Sequence, residues 1–361
     1  MPTPAILPNR AIQWVLDWDG TITLKDTLDA LVNISRQIKP TSGIPEAWSS
    51  LTQAYLSDLD TALSTHAPSG KLPTNVLDER SLLLKLRAVE QASVSRVSDS
   101  QIFQSLTDKD IKNGARDAVK QGRVQLRNGY LDFESHLSSR MDRQHEDIDV
   151  VNILSVNWSQ HFIASCLNTA SEASAWESKL ANFVHSWPNP IGAYGLSKSK
   201  QIQEQVSSLH CPSYMANLMP FQKRISANEL EGLGDGSTGV ICAGGDDLIV
   251  SSSDKLTTFQ KMRKMNPYTM KPIPVVYVGD SWTDFDCLLA ADLGICIRDE
   301  ELTSTQRKLH ESFERLGIKC PHLKDWKTAD DWAVVWVRDF AEIKDWLSSL
   351  EDDAAAAAAA T

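Results

Sequence analysis

The sequence predicts an α/β fold, a doubly wound parallel sheet with a helical block inserted after its first strand. Three observations lead there. Short apolar runs recur along the chain, and several stop at acidic or glycine-bearing turns. Helix-periodic stretches separate most of these runs, the alternation that builds parallel sheets. One long block, residues 26–121, is polar, helix-periodic and poor in strand signals.

The elements follow in order. Gln13 to Leu16 is a short, mainly apolar run that meets Asp17 and Gly20, so it reads as a buried strand ending at a functional turn. Inside the helical block, Ser81 to Gln91 and Asp108 to Lys120 are amphipathic. Breaks near Thr41-Ser42-Gly43 and Ala67-Pro68-Ser69-Gly70 divide the block into separate helices. Val150 to Val156 is the second strand. Ile225 to Leu230 and Gly239 to Ala243 form a strand region around a glycine-rich turn at 232–236. Pro274 to Val278, Leu293 to Ile297 and Trp332 to Val337 are later strands. The expected organisation is a discontinuous core of residues 1–25 and 122–350, with a helical cap over 26–121. An insertion in the core is expected over 166–220, and a disordered or frayed tail over 351–361.

Composition narrows the function. The net charge of −11 argues against nucleic-acid or anionic-membrane partners, because their phosphate surfaces repel it. One local cationic site is still enough to hold a phosphorylated small molecule. No run of about 18 apolar residues predicts a membrane span, and the N-terminus has no apolar region of secretory type. The six cysteines are scattered without a C-x-x-C pair, so reduced thiols and a cytoplasmic location are expected. Trp326, Trp332, Trp336 and Trp346 are assigned to a C-terminal core. Trp187, Tyr194, Tyr214 and Met219 either pack an irregular insertion or line a pocket for an apolar leaving group.

The chemistry lies at strand ends. Asp17-Trp18-Asp19-Gly20-Thr21 directly follows the first strand. Carboxylates two residues apart on an extended segment share one face. The turn that Gly20 permits lets one side chain and one backbone carbonyl converge instead, the oxygen donors a hard cation such as Mg²⁺ takes. Gly279-Asp280-Ser281-Trp282-Thr283-Asp284 places a second acidic pair at the end of another apolar strand. Asp280 would complete the metal site and Asp284 would support it. Ser155, at the end of the second strand, offers a hydroxyl to a phosphate oxygen. Lys255, near a helix start capped by Ser253 or Asp254, offers a point charge, with Lys200 and Lys261 as alternatives.

These motifs, in this order, resemble the haloacid dehalogenase superfamily and within it the phosphoserine-phosphatase-like branch. Val124 to Gly129 is similar to the segment by which that branch re-enters its core after a helical cap. Ser226 to Leu230 with Gly236 to Gly239 is similar to its third strand and turn. The likeness covers residues 11–25 and 123–300 and extends to uncharacterised fungal proteins of the superfamily. It implies a Rossmann-like core, Asp17 as nucleophile and Asp19 as general acid and base. It further implies Ser155 and Lys255 on the phosphoryl group, and Mg²⁺ on Asp17, the Asp19 carbonyl and Asp280, with Asp284 supporting. Thr21 either bonds the phosphate or stabilises the turn. Asn228 either sits near substrate or closes a turn.

Three departures bear on the substrate. Asn157 and Trp158 stand where relatives often have glycines and are expected to crowd the phosphate approach. Thr283 replaces a frequent asparagine, and the stretch from Ser155 to Asn228 is longer than the branch uses. The expected activity is Mg²⁺-dependent hydrolysis of a small or medium phosphomonoester through an aspartyl-phosphate. A phosphomutase, a prenyl-(di)phosphate-processing enzyme and a non-catalytic regulatory protein are the alternatives.

Overall fold

A computed structural model of the chain describes residues 6, 10–68, 70–143, 149–185, 224–265, 271–329 and 331–359. The described parts of 1–170 and 223–361 form one compact unit; 171–222 is a second, described only over 171–185.

The sheet has six parallel strands: β1 (Gln13–Leu16), β2 (Val150–Leu154), β3 (Arg224–Ser226), β6 (Val275–Gly279), β7 (Leu293–Ile297) and β8 (Val334–Val337). Their order is β3-β2-β1-β6-β7-β8. The chain therefore winds outward from β1 to one side through β2 and β3. It then returns to wind outward on the other side from β6. The direction reverses between β1 and β6, and ligands of such sheets bind at the carboxyl ends of the strands beside that reversal. In register, Leu16 lies opposite Ile153 of β2 and Val278 of β6.

The expected doubly wound sheet is what these residues form, because both faces are covered. Trp14 of β1 meets Phe133 of α5 (Tyr130–Arg143) edge-on, 4.9 Å between rings. Phe133 in turn packs on Phe340 of α10 (Phe340–Ala359) at 5.4 Å. The next residue, Val15, points to the other face. It shares a buried cluster with Tyr277, with Phe259 of α7 (Ser252–Met262) and with Phe285 of α8 (Phe285–Ala290). Strands buried on both sides read as continuous apolar runs. Gln13 is tolerated there because its amide donates to Met262 C=O (2.8 Å) and accepts from Lys264 N–H (3.0 Å).

Residues 26–121 fold into four helices: α1 (Leu28–Ile38), α2 (Ile44–His66), α3 (Val76–Asp99) and α4 (Asp108–Lys120). The two breaks read from sequence separate α1 from α2 and α2 from α3. A reciprocal cap of Thr107 and Asp110 starts α4. The segments leaving and re-entering the sheet pair antiparallel at Thr23 and Leu126. Leu24 N–H donates to Gln125 C=O (2.9 Å) and Arg127 N–H to Ile22 C=O (2.7 Å).

The run Ile225 to Leu230 is two strands rather than one. β3 joins the main sheet, whereas β4 (Asn228–Leu230) pairs antiparallel with β5 (Ile241–Ala243). The split falls where Asn228 N–H turns to the Asn157 carbonyl, 3.1 Å away. α6 (Gln160–His185) opens the expected insertion; the rest of it, with Trp187, Tyr194, Tyr214 and Met219, lies outside the described residues. Helix α9 (Ser304–Arg315) precedes β8. The alanine run continues α10 as helix to Ala359, in keeping with the propensity of alanine. Trp326 packs edge-on against both Trp332 and Trp346. Among the described residues, Cys166, Cys242, Cys287, Cys296 and Cys320 are free thiols, and no helix is long and apolar enough to cross a membrane.

Candidate active site

The turn after β1 is built around one glycine. Trp18–Ile22 forms a single wide turn closed by Thr23 N–H to Trp18 C=O at 3.0 Å. Asp19 is extended and Gly20 is left-handed, φ 73°. A side chain at Gly20 would collide with the Asp280 carboxylate as well as straining the backbone. The glycine thus lets the β1 turn close on the β6 turn. Gly279 does the same on the other side, where a Cβ would run into Asp284.

Asp17, Asp280 and Asp284 come together at this point. One oxygen from each lies within 4.8 Å of the others, and all three residues are buried. Lys255 of α7 is fully buried between two of them, donating to Asp17 Oδ1 and Asp284 Oδ1, each at 2.7 Å. Asp284 is saturated. Its Oδ1 also accepts from Tyr277 O–H (2.6 Å), and its Oδ2 accepts from Asp280 N–H, Ser281 N–H and Ser281 O–H. Asp280 is the opposite case: it accepts one hydrogen bond, from Thr21 O–H at 3.2 Å.

Asp19 sits apart from that trio. Its Oδ1 accepts from Thr27 N–H (2.8 Å) and Thr27 O–H (2.6 Å), and its Oδ2 from Asn157 Nδ2 (2.8 Å). The orientation of Asn157 is fixed because its Oδ1 accepts from Ser159 N–H. The Thr27 hydroxyl itself accepts from Trp18 Nε1 and Asn157 Nδ2, which leaves its one proton for Asp19.

Burial pushes the Asp17 carboxyl up to about 8; Asp284 adds to the rise and Lys255 opposes it. Burial also raises Asp19, against the pull of Asn157 and Thr27. Asp280 is held well above the carboxylate range by burial, then by Asp284 and Asp17. On Lys255, burial acts downward, but Asp17 and Asp284 outweigh it and the net shift is upward. Four carboxylates therefore surround one ammonium. The groups fit a hard divalent cation: Asp17 and Asp280 have oxygen capacity to spare, whereas Asp284 does not.

The remaining residues singled out from sequence are placed as follows. Ser155 is fully buried at the end of β2, and its hydroxyl accepts from Asn157 N–H at 3.1 Å. Thr21 is engaged with Asp280. Asn228 ties the loops together, donating to Val156 C=O and Ile249 C=O and accepting from Ile249 N–H. Asp17, Asp19 and Asp280 line a cavity of about 460 Å³; Thr21, Ser155, Asn228, Lys255 and Asp284 stand behind that surface. The helix of Lys255 is capped by Ser251, not Ser253 or Asp254, with Asp254 accepting the Ser251 hydroxyl in return.

No family model matches the chain. The chain is similar to a CTO1 family protein of Schizosaccharomyces pombe. The two are 24% identical over 288 residues, 80% of this chain and 82% of that protein. Among solved structures, a substrate-bound phosphoserine phosphatase is similar at a TM-score of 0.42 and 14% identity, over 93% of this chain and 98% of that one. A HAD family hydrolase of Salmonella enterica serovar Typhi is similar at a TM-score of 0.39 and 12% identity, over 83% and 67%.

Two groups escaped the sequence reading. Asn157, singled out only for crowding the phosphate approach, lines the cavity and also donates its amide to Asp19. Arg127 is buried and clamps the β1 turn from below, donating to Gly20 C=O (2.7 Å) and Thr21 C=O (3.0 Å) while paired with Asp299 (2.5 Å). An arginine in the otherwise mainly uncharged run Val124 to Gly129 was the available signal.

Proposed function

We propose that the chain is a Mg²⁺-dependent phosphatase that hydrolyses a phosphomonoester through an aspartyl-phosphate on Asp17. One observation carries the reading. Asp17 and Asp280 leave adjacent strands at the reversal of strand order, beside Lys255 and an open cavity, with buried carboxyl oxygens left unpaired. Asp17, Asp280 and the Asp19 carbonyl would hold Mg²⁺, whose charge favours the ionised Asp17 and draws the phosphate oxygens in.

The residues then divide the work. An Asp17 oxygen attacks phosphorus in line, forming an O–P bond as the ester O–P bond breaks. Asp19, raised by burial, gives its proton to the departing alkoxide. It takes a proton back from the water that cleaves the acyl phosphate. Lys255 keeps Asp17 in position and adds positive charge beside it. The cap, residues 26–121, supplies the wall that selects the alcohol.

The test is phosphate release from a panel of phosphomonoesters. Release with Mg²⁺ that stops with EDTA is expected; no release from any ester, with Mg²⁺ bound, would sink the proposal. Metal binding has its own signature. Without a cation, Asp17 binds its proton more tightly folded than unfolded. That contribution to stability is complete below about pH 4 and is lost as pH rises through about 8. A cation competes for the same oxygens, so MgCl₂ should raise Tm more near pH 8 than near pH 5. Equal increments at both would count against this site.

Asn157 acts as a positioning residue for Asp19. Asn157→Ala removes a hydrogen bond that orients the Asp19 carboxyl, about 0.5–1.5 kcal/mol, so kcat should fall roughly twofold to tenfold with KM little changed. The lost donor favoured the ionised form, so the pH limb belonging to Asp19 should move to higher pH. An unmoved limb would reduce Asn157 to a packing role.

A further inference from the structure

The cavity over the carboxylates has an unusual roof. α2 is 23 residues long, yet Ile44 is its one buried residue. The face it turns to the cavity carries Trp48, Leu51, Tyr55 and Leu59, spaced three or four residues apart. These side chains are half-exposed, so the apolar stripe of α2 looks onto open space instead of core. α3 answers it with Leu86, Val94 and Val97. Trp158, just past β2, joins the two parts by meeting Trp48 edge-on at 5.9 Å.

Tyr55 and the arginines of α3 each meet a carboxylate. Tyr55 O–H donates to Glu90 (2.9 Å). Arg80, Arg87 and Arg96 are held by Asp286, Asp254 and Asp58. That leaves no arginine of α3 free to grip the carboxylate of an amino-acid ester. A leaving group as small as serine would also leave most of the 460 Å³ filled by water against apolar walls. That volume corresponds to on the order of fifteen waters.

We infer that the substrate is a phosphate ester of an alcohol with an extended, largely apolar body, which lies along the α2–α3 roof while its phosphate meets Asp17. This inference rests on the phosphatase reading, and it names the leaving group that reading left open. Apolar contact along the roof gives affinity in proportion to the area removed from water.

Binding of methyl-, butyl- and octylphosphonate to the full chain with Mg²⁺, followed by calorimetry, tests it without turnover. Affinity should climb with chain length, about tenfold for every two methylenes buried. Leu51→Trp, on a half-exposed helix face, should fill the roof and abolish the gain of octylphosphonate over methylphosphonate. Equal affinity for all three chains would overturn the inference and leave the phosphatase reading standing. A gain that survives Leu51→Trp would overturn its placement on this roof. Binding of none of them, inorganic phosphate included, would overturn the phosphate site and this inference together.

Discussion

Asp17→Asn is expected to lower phosphate release by about 10⁴-fold or more while leaving the protein folded. The size follows from the role proposed above: a nucleophile's removal abolishes its covalent intermediate, and losses of that order attend it. The fold should survive because the environment already disfavours the charge. Burial pushes Asp17 up to about 8, so without a cation its carboxyl is mostly protonated near neutrality, and Asn is nearly the same shape as that neutral form. The Asn oxygen can still accept from Lys255, as Asp17 Oδ1 does at 2.7 Å. A change in unfolding free energy within about 1 kcal/mol is expected. Steady-state phosphate release beside urea melts separates the two effects. Undiminished release would remove Asp17 from the nucleophile's place. Loss of release with loss of fold would assign it a structural one.

The strands and the helix breaks were legible because each rests on a local pattern. Gln13 to Leu16 stops at Asp17, Leu293 to Ile297 lies between Asp292 and Arg298, and the start of Asp108–Lys120 is marked by a cap. The carboxylates were legible because strand ends and glycines announce where a parallel sheet presents side chains. What the sequence did not reveal depends on contacts between distant segments. Asn157 looked like an obstacle because its spacing says nothing of Asp19, which is 138 positions away in the chain. Thr27 carries no mark in sequence, although its hydroxyl joins Trp18, Asn157 and Asp19. Asp284 and Asp280 look alike in sequence, yet five donors occupy one and a single hydroxyl reaches the other.

Lys255→Met should show the largest loss of stability of any single change at the site. The ammonium is fully buried and, among the described residues, is the one cation bonded to Asp17 and Asp284. Removing one partner from a buried ion pair costs about 3–5 kcal/mol, because the remaining charges have no water to replace it. Methionine has nearly the shape of the lysine stem, so lost packing contributes little to that cost. The sign with pH follows from the carboxylates left behind. Without Lys255 their affinity for protons rises further, so they can escape the charge by protonation at low pH and cannot at high pH. The loss should therefore be smaller near pH 5 than near pH 8, and it grows as pH passes the raised Asp17 value. Asp17→Asn in the same chain should recover part of the stability by removing one of the two charges. Urea denaturation of the single and double variants at both pH values reads all of this. A Lys255→Met protein as stable as the parent near pH 8 would mean that the carboxylates do not bear on each other as the 2.7 Å contacts require.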